Sequence, residues 1–260
     1  PNRPLLLRVG FLQPHYPYLA QAGKFKYYLP RVQPFRDQVP FDHPFLGQHQ
    51  VRPGIDASER EIRRAVAAYY AMVETIDELY GQVLTKLDEV GQDLDDWIVV
   101  YCSDHGEMLG EHGIWEKQKF FEGSVRVPLI VRWPRQFQGG RVVDRNVNLC
   151  DLFATLCDLA GIPAPPGLDS RSLAPLLRGD TDSWDNETIS QFNETNVMIK
   201  RDHLKYQYYG PGMPEVLFDL ERDPRETVNL IADETYADQV ASFRATGHNG
   251  PRAQCRPKLC

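Results

Sequence analysis

The sequence predicts an α/β fold, in which a sheet is covered by helices on both faces, followed by a small antiparallel sheet. A long amphipathic pattern over 58–90 predicts a helix, with apolar residues recurring every three or four positions. Two short apolar runs, 97–102 and 127–133, are typical of strands buried on both faces of a sheet. Beyond residue 180, short strand-like segments alternate with turn residues, which favours an antiparallel sheet with one solvent-exposed face.

The individual elements follow from local signals. Residues 4–11 (PLLLRVGF) predict a first strand, and we expect residue 1 to lie inside a domain. Ser58 and Glu61 form a capping box that begins the long helix. A second helix is predicted over 151–160, where Gly161 ends it. The later segments predict four strands and a last helix, over 188–192, 196–200, 204–209, 216–220 and 231–244.

This pattern divides the chain into three parts. Residues 1–180 are predicted to form part of the α/β domain, and residues 181–244 a small α+β subdomain. Residues 245–260 have no apolar pattern, so we expect no regular structure there.

Composition excludes several classes of protein. The 260 residues carry a net charge of −7, which argues against nucleic acid as a partner because phosphate binding needs a basic surface. No apolar run approaches the roughly 18 residues that cross a bilayer, so no membrane span is predicted. The five cysteines show no C-x-x-C spacing, and Cys102, Cys150 and Cys157 are interpreted as small buried apolar residues.

The strongest functional signal is Ser103-Asp104-His105-Gly106, directly after the predicted strand 97–102. Ligands of α/β sheets bind beyond the carboxyl ends of strands. A carboxylate and an imidazole on one turn can both face a single cation, and glycine lets the backbone bend sharply. The alternative is a capped strand end in which Asp104 only binds backbone amides.

The following loop, 110–117, contains two glycines, a second histidine and Lys117 near Trp115. A lysine suits a tetrahedral oxyanion, because its ammonium group acts as a point charge from any direction. Lys119 competes for that role, although we interpret it as a solvated surface charge. Glu111 and His112 are interpreted as structural or supporting residues.

His15 lies between Pro14 and Pro17, after the predicted first strand. Prolines exclude regular structure there, so His15 is expected on a loop at a strand end. Such a histidine could donate a hydrogen bond to a substrate oxygen or protonate a leaving group. The alternative is an inert loop histidine.

Together these residues resemble a known family. The stretch from Ser103 to Lys117, continued by 121–130 (FEGSVRVPLI), resembles the second half of type I sulfatases of the alkaline phosphatase superfamily. The segment 119–128 (KFFEGSVRVP) is especially similar to the sequences of bacterial choline-sulfatase-like members. Segment 10–18 resembles the family's Pro-His loop, and 151–177 resembles a helix of the family with the segment that follows it. Segment 218–230 resembles the family's terminal-sheet signature.

The resemblance implies a sulfatase-like mixed sheet and a set of residue roles. Asp104 and His105 would ligate a divalent cation, usually Ca²⁺ in this family, with Mn²⁺ or Mg²⁺ as alternatives. Lys117 would contact the sulfate group and assist the leaving oxygen. His15 would bind the substrate, a small sulfate ester.

The sequence also departs from the family pattern. The family's formylglycine nucleophile is made within a Cys/Ser-x-Pro-x-Arg motif, which these 260 residues lack; the segment 255–259 (CRPKL) ends in leucine instead. The aspartates that complete the metal site are also missing, and two ligands fall short of the six or more that calcium prefers. We therefore expect a sulfuric ester hydrolase whose nucleophile lies upstream, and a chain that is inactive by itself. The alternatives are a phosphonate monoester hydrolase or phosphodiesterase, and a non-catalytic homologue.

Overall fold

The computed structural model describes residues 4–33, 43–46 and 57–249, which form two compact units. The first unit contains the described residues 4–33, 57–97 and 109–115. The second contains 43–46, 98–108 and 116–249. Within these residues, every helix is too short or too polar to pass through a lipid bilayer.

Two helices dominate the first unit. Helix α1 (Ala22–Tyr28) packs against helix α2 (Glu59–Glu89). The capping box of α2 is confirmed: the Glu61 amide donates to Ser58 Oγ over 3.3 Å, and the Ser58 amide donates to Glu61 Oε2 over 2.8 Å. Val66 and Ala67 of α2 form the core of this unit with Val32 and Leu109.

The predicted strand at residues 4–11 is wrong. These residues form no strand, and the Leu6 side chain is 85% exposed. A strand needs a neighbouring strand to pair its backbone groups, and no described segment pairs with this one. An apolar run indicates a tendency to be buried, but it does not supply the partner.

In the second unit, strand β1 (Val99–Cys102) pairs antiparallel with strand β2 (Leu129–Arg132). Both strands were predicted, but their residues are half-buried or exposed rather than buried on both faces. Cys102 and Cys150 are exposed, so their interpretation as buried apolar residues is wrong. Among the described residues these two strands form a sheet of their own, so each has an open edge.

Three short helices follow the first strand: α3 (Glu122–Val125), the predicted α4 (Asp151–Leu159) and α5 (Ala174–Arg178). The buried Asp151 carboxylate fixes the start of α4. It accepts hydrogen bonds from the amides of Asn148 and Arg171 over 2.9 and 2.8 Å. A buried carboxylate paired in this way holds the chain before and after the helix together.

The four predicted strands of the terminal sheet are confirmed. Strands β3 (Glu187–Phe192), β4 (Asn196–Arg201), β5 (Leu204–Tyr208) and β6 (Val216–Asp219) pair in that order, each antiparallel to the next. One face of this sheet packs on helix α6 (Ala237–Asn249), where the Phe243 ring stacks on Tyr206 at 5.5 Å.

Helix α6 differs from the prediction in its bounds. A 3₁₀ turn (Glu234–Tyr236) leads into it, and it ends at Asn249 rather than at 244. Residues 245–249 are thus helical, although the sequence predicted no regular structure from 245. Thr246 Oγ1 lies 3.4 Å from the Arg201 guanidinium, so the last turn contacts the sheet. The rest of the predicted tail, 250–260, lies outside the described residues, and the boundary near residue 180 stays a prediction.

We expect Ser58→Ala to lower the free energy of unfolding by about 1 kcal/mol, because the Glu61 amide loses its acceptor. Ser58→Thr keeps the hydroxyl and is expected to lose less than half as much. Denaturant titrations followed by circular dichroism measure both values. Equal losses in the two variants would contradict the capping role.

Candidate active site

The end of β1 places Asp104 and His105 side by side. Asp104 Oδ1 accepts the His105 amide over 3.0 Å, which is the backbone cap that the alternative interpretation requires. Asp104 Oδ2, however, lies 3.6 Å from His105 Nε2, and the Asp104 side chain is 85% exposed. The carboxylate therefore caps the turn with one oxygen and faces the imidazole with the other.

The imidazole of His105 is oriented by the backbone. Its Nδ1 lies 2.8 Å from the carbonyl oxygen of Gly106, and a carbonyl only accepts, so Nδ1 carries the proton. The lone pair of the neutral ring is then on Nε2, the nitrogen nearest Asp104. Adjacent ligands at about 2.4 Å from an octahedral cation lie about 3.4 Å apart, so the 3.6 Å separation fits a shared ion.

These two residues are only part of a metal site. Within the described ranges, no group of three or more His, Cys, Asp or Glu side chains is arranged to hold a metal ion. The donor types fit a hard or borderline divalent cation, but their number does not satisfy one.

Gly106 allows the site turn to touch helix α3. Its amide donates to the carbonyl of Ser124 over 2.7 Å. A Cβ at position 106 would overlap the carbonyl oxygen of Gly123. Only glycine fits between the two backbones without moving one of them.

Ser124 connects this turn to the lysine segment. Besides accepting the Gly106 amide, it donates from Oγ to the carbonyl of Lys117 over 2.7 Å. The two segments are also joined directly, because the Met108 amide donates to the Glu116 carbonyl over 2.9 Å. Asp104, His105 and Lys117 are thereby held on two chain segments that meet at one buried serine.

Lys119 is not the solvated surface charge that the sequence suggested. It is 3% exposed, donates a hydrogen bond to the carbonyl of Phe45, and lies 3.1 Å from the centroid of the Phe45 ring. Burial lowers the pKa of its ammonium group to about 8. Because its partner Phe45 lies 74 residues away in sequence, the residues around Lys119 do not indicate that it is buried.

Asp104, His105 and Lys117 line one pocket of about 1150 Å³. Pockets for small ligands measure roughly 300–1,000 Å³, so this cleft has room beyond one small group. Alternate residues of β3 and β4 form a second wall, because successive side chains of a strand point to opposite faces. The members of this wall are Thr188, Ser190, Met198 and Lys200.

His15 belongs to the first unit, and the three pocket residues belong to the second. It lies on a loop, as predicted, but not at a strand end, since residues 4–11 form no strand. The Gln13–Pro14 and Tyr16–Pro17 bonds that flank it are both cis. Its Nδ1 lies 2.9 Å from the carbonyl of Tyr16, to which it donates. Its functional role stays a prediction.

We expect Gly106→Ala to lower the free energy of unfolding by at least about 2 kcal/mol, since the new methyl group displaces backbone rather than a flexible side chain. Gly81→Ala is the matched control. Gly81 lies exposed in α2, and a Cβ added there would meet no atom of another part of the protein within 4 Å. There alanine favours the helix and is expected to add about 0.5–1 kcal/mol. Denaturant unfolding of both variants tests this; a neutral Gly106→Ala would contradict the close approach.

Lys119 also predicts a pH dependence. The folded protein loses this proton near pH 8 and the unfolded chain near 10.5, so between these values the unfolded state binds more protons. The free energy of unfolding should therefore gain up to about 3 kcal/mol from this group as pH rises through that window. Unfolding titrations of the wild type and of Lys119→Met measure it as a difference that grows with pH. A difference independent of pH would overturn the assignment, and Lys86→Met serves as the exposed-lysine control.

Comparison with known proteins gives two overlapping family matches. The model described as Sulfatase matches residues 1–162, and the model described as N-sulphoglucosamine sulphohydrolase, C-terminal, matches residues 110–246. Together they cover nearly the whole described chain.

Individual relatives agree. The choline-sulfatase of Rhizobium meliloti is 35% identical over 243 residues, which cover 88% of this chain and 46% of that protein. The arylsulfatase of Clostridium perfringens is 29% identical over 94% of this chain and 53% of its own length. The chain thus spans about half the length of the curated relatives it matches.

A solved structure supports the fold. The phosphonate monoester hydrolase of Agrobacterium radiobacter matches with a TM-score of 0.67 and 30% identity, over 76% of this chain and 43% of that one. This match and the observed helices and antiparallel sheets confirm the predicted fold class. Since a single family model covers more than half of its 260 residues, the chain belongs to the sulfatase family.

Proposed function

We propose that the full-length protein containing this chain hydrolyses small sulfuric esters. The observation that carries the proposal is a single pocket, in a member of the sulfatase family, that combines the Asp104–His105 pair with Lys117. Paired metal-type ligands beside a cationic side chain suit a reaction in which charge develops on the oxygens of a tetrahedral anion.

Asp104 Oδ2 and His105 Nε2 would bind a divalent cation, with Ca²⁺ first and Mn²⁺ or Mg²⁺ as alternatives. Their 3.6 Å separation and the tautomer set by Gly106 support this role. A bound cation supplies positive charge that polarises the sulfate oxygens. Because calcium takes six to eight ligands, the remaining ligands would come from water and from residues other than this pair.

Lys117 would hold the sulfate group and assist departure of the alcohol oxygen. Its ammonium group can approach a tetrahedral anion from any direction, and it lines the same pocket as Asp104 and His105. His15 would bind the substrate. Its Nδ1–H is committed to the Tyr16 carbonyl, so proton exchange with a substrate oxygen would use Nε2.

The nucleophile would be a formylglycine outside this chain, since these residues contain no Cys/Ser-x-Pro-x-Arg motif. We therefore expect the 260-residue chain alone to show no turnover. The large pocket supports a substrate whose alcohol part extends beyond the sulfate.

A second candidate is hydrolysis of phosphonate monoesters. It is favoured by the 30% identity to a hydrolase of that class, and the same pair and lysine would serve a phosphonate group. A third reading is a homologue without catalytic activity.

Assays of the full-length protein with 4-nitrophenyl sulfate and with a phenylphosphonate monoester separate these candidates. Preference for the sulfate ester supports the proposal, and preference for the phosphonate ester favours the second candidate. No turnover of either ester by a calcium-loaded protein would favour the third reading.

Two variants should divide the site by role. Lys117→Ala is expected to lower kcat/KM for the sulfate ester by about 10²–10³-fold without changing calcium affinity. Asp104→Asn is expected to lower calcium affinity at least about tenfold, measured by calorimetry. Lys86→Ala, on the exposed surface of α2, should change neither quantity. These roles would be contradicted if Lys117→Ala lost calcium affinity while Asp104→Asn kept it.

A further inference from the structure

A cluster of charged side chains lies next to α3, and two of its members, Glu122 and Lys200, also line the pocket. At its centre is Lys205 of β5, which is 0% exposed. Its Nζ lies 2.6 Å from Glu226 Oε1 and 2.7 Å from Glu122 Oε1, and it donates to the Phe120 carbonyl over 2.9 Å. An ammonium group has three hydrogens, so these three acceptors satisfy it completely.

The cluster is close to electrically neutral. A second lysine, Lys200, lies 3.5 Å from Glu122 Oε2, so two ammonium groups meet two carboxyl groups. Burial alone would raise the pKa of Glu122, but the charge and hydrogen bond of Lys205, followed by Lys200, lower it overall. Burial raises the pKa of Glu226 despite the opposing effect of Lys205. Removing Lys205 would take away the ammonium group that lies within 2.7 Å of both the buried Glu226 and the half-buried Glu122, which is costly.

This cluster fixes the start of α3. Glu226 Oε2 accepts the backbone amide of Glu122 over 2.6 Å, and the Phe120 carbonyl just before it is held by Lys205. The two backbone groups at the start of α3 therefore bind Lys205 of the terminal sheet and Glu226 of the segment that follows it.

Helix α3 in turn holds both segments of the pocket. Its Ser124 accepts the Gly106 amide and donates to the Lys117 carbonyl, each over 2.7 Å. A displacement of α3 would move the turn that carries His105 and the segment that carries Lys117 together. Lys205 is thus bound to Glu122, and the backbone of α3 continues from Glu122 to Ser124.

We propose that Lys205 is a positioning residue, which sets the geometry of the Asp104–His105 turn and of the Lys117 segment through Glu122, Glu226 and α3. The mechanical coupling stands on the contacts alone, whereas its value for metal and sulfate binding rests on the proposed function. Lys205 itself contacts no substrate in this scheme.

The direct test is amide hydrogen exchange at Gly106, whose N–H reports on its bond to Ser124. Lys205→Met should lower the protection of Gly106 at least about tenfold more than it lowers that of the β4 amides. The matched control is Val240→Ala, a buried α6 residue that packs on the opposite face of the same sheet. Val240→Ala should lower the protection of Gly106 and of the β4 amides by a common factor.

Glu226→Gln provides a gentler change if Lys205→Met does not fold. It keeps an oxygen for the Glu122 amide but removes a charge, and a selective loss at Gly106 of about threefold or more is expected. Equal losses at Gly106 and in β4, in whichever of the two variants folds, would overturn the proposal and leave Lys205 a residue of general stability.

Calcium affinity of the full-length variants separates this proposal from the function on which it rests. A fall in affinity for Lys205→Met or Glu226→Gln, but not for Val240→Ala, supports both. Selective loss of Gly106 protection with unchanged affinity supports the coupling and contradicts the role of Asp104 and His105 as ligands.

Discussion

The structure of the pocket depends on the contact between the backbone at Gly106 and helix α3. Two main chains approach so closely that position 106 has no room for a side chain, and the Gly106 amide binds the Ser124 carbonyl there. The Asp104–His105 turn begins beside this contact, and the same serine binds the Lys117 carbonyl. A single buried hydroxyl residue thus sets the relative position of the anionic and the cationic parts of the site.

Features with local causes were predictable. Ser58 and Glu61 lie three residues apart and satisfy each other's backbone amides, so the start of α2 could be recognised from sequence. The four strands of the terminal sheet were separated by turn residues and predicted within one or two positions. Residues 4–11 had the same apolar character as a strand, yet pairing depends on a neighbour that local sequence cannot specify.

In the candidate site, too, residues with a local sequence signal were predicted, whereas residues recognised only by their tertiary contacts were not. Asp104, His105 and Lys117 were identified from motif and resemblance, and they line one pocket. Lys119 was misjudged and Lys205 was overlooked because their partners are distant in sequence. Ser124 was overlooked because its hydrogen bonds join two loop segments with no regular spacing. Lys205, for instance, meets the Phe120 carbonyl 85 residues away. A charged residue that is buried by tertiary contacts looks the same in sequence as one on the surface.

The terminal hairpin of β3 and β4 has two unlike faces. Ile199 and Val197 pack on α6, whereas Thr188, Ser190 and Lys200 line the pocket. Adjacent positions on one strand therefore make different contacts, one in the hydrophobic core and the next in the pocket lining. A substitution at Thr188 or Ser190 would thus change the chemistry of the pocket lining and leave the face that packs on α6, which stabilises the sheet, unaltered.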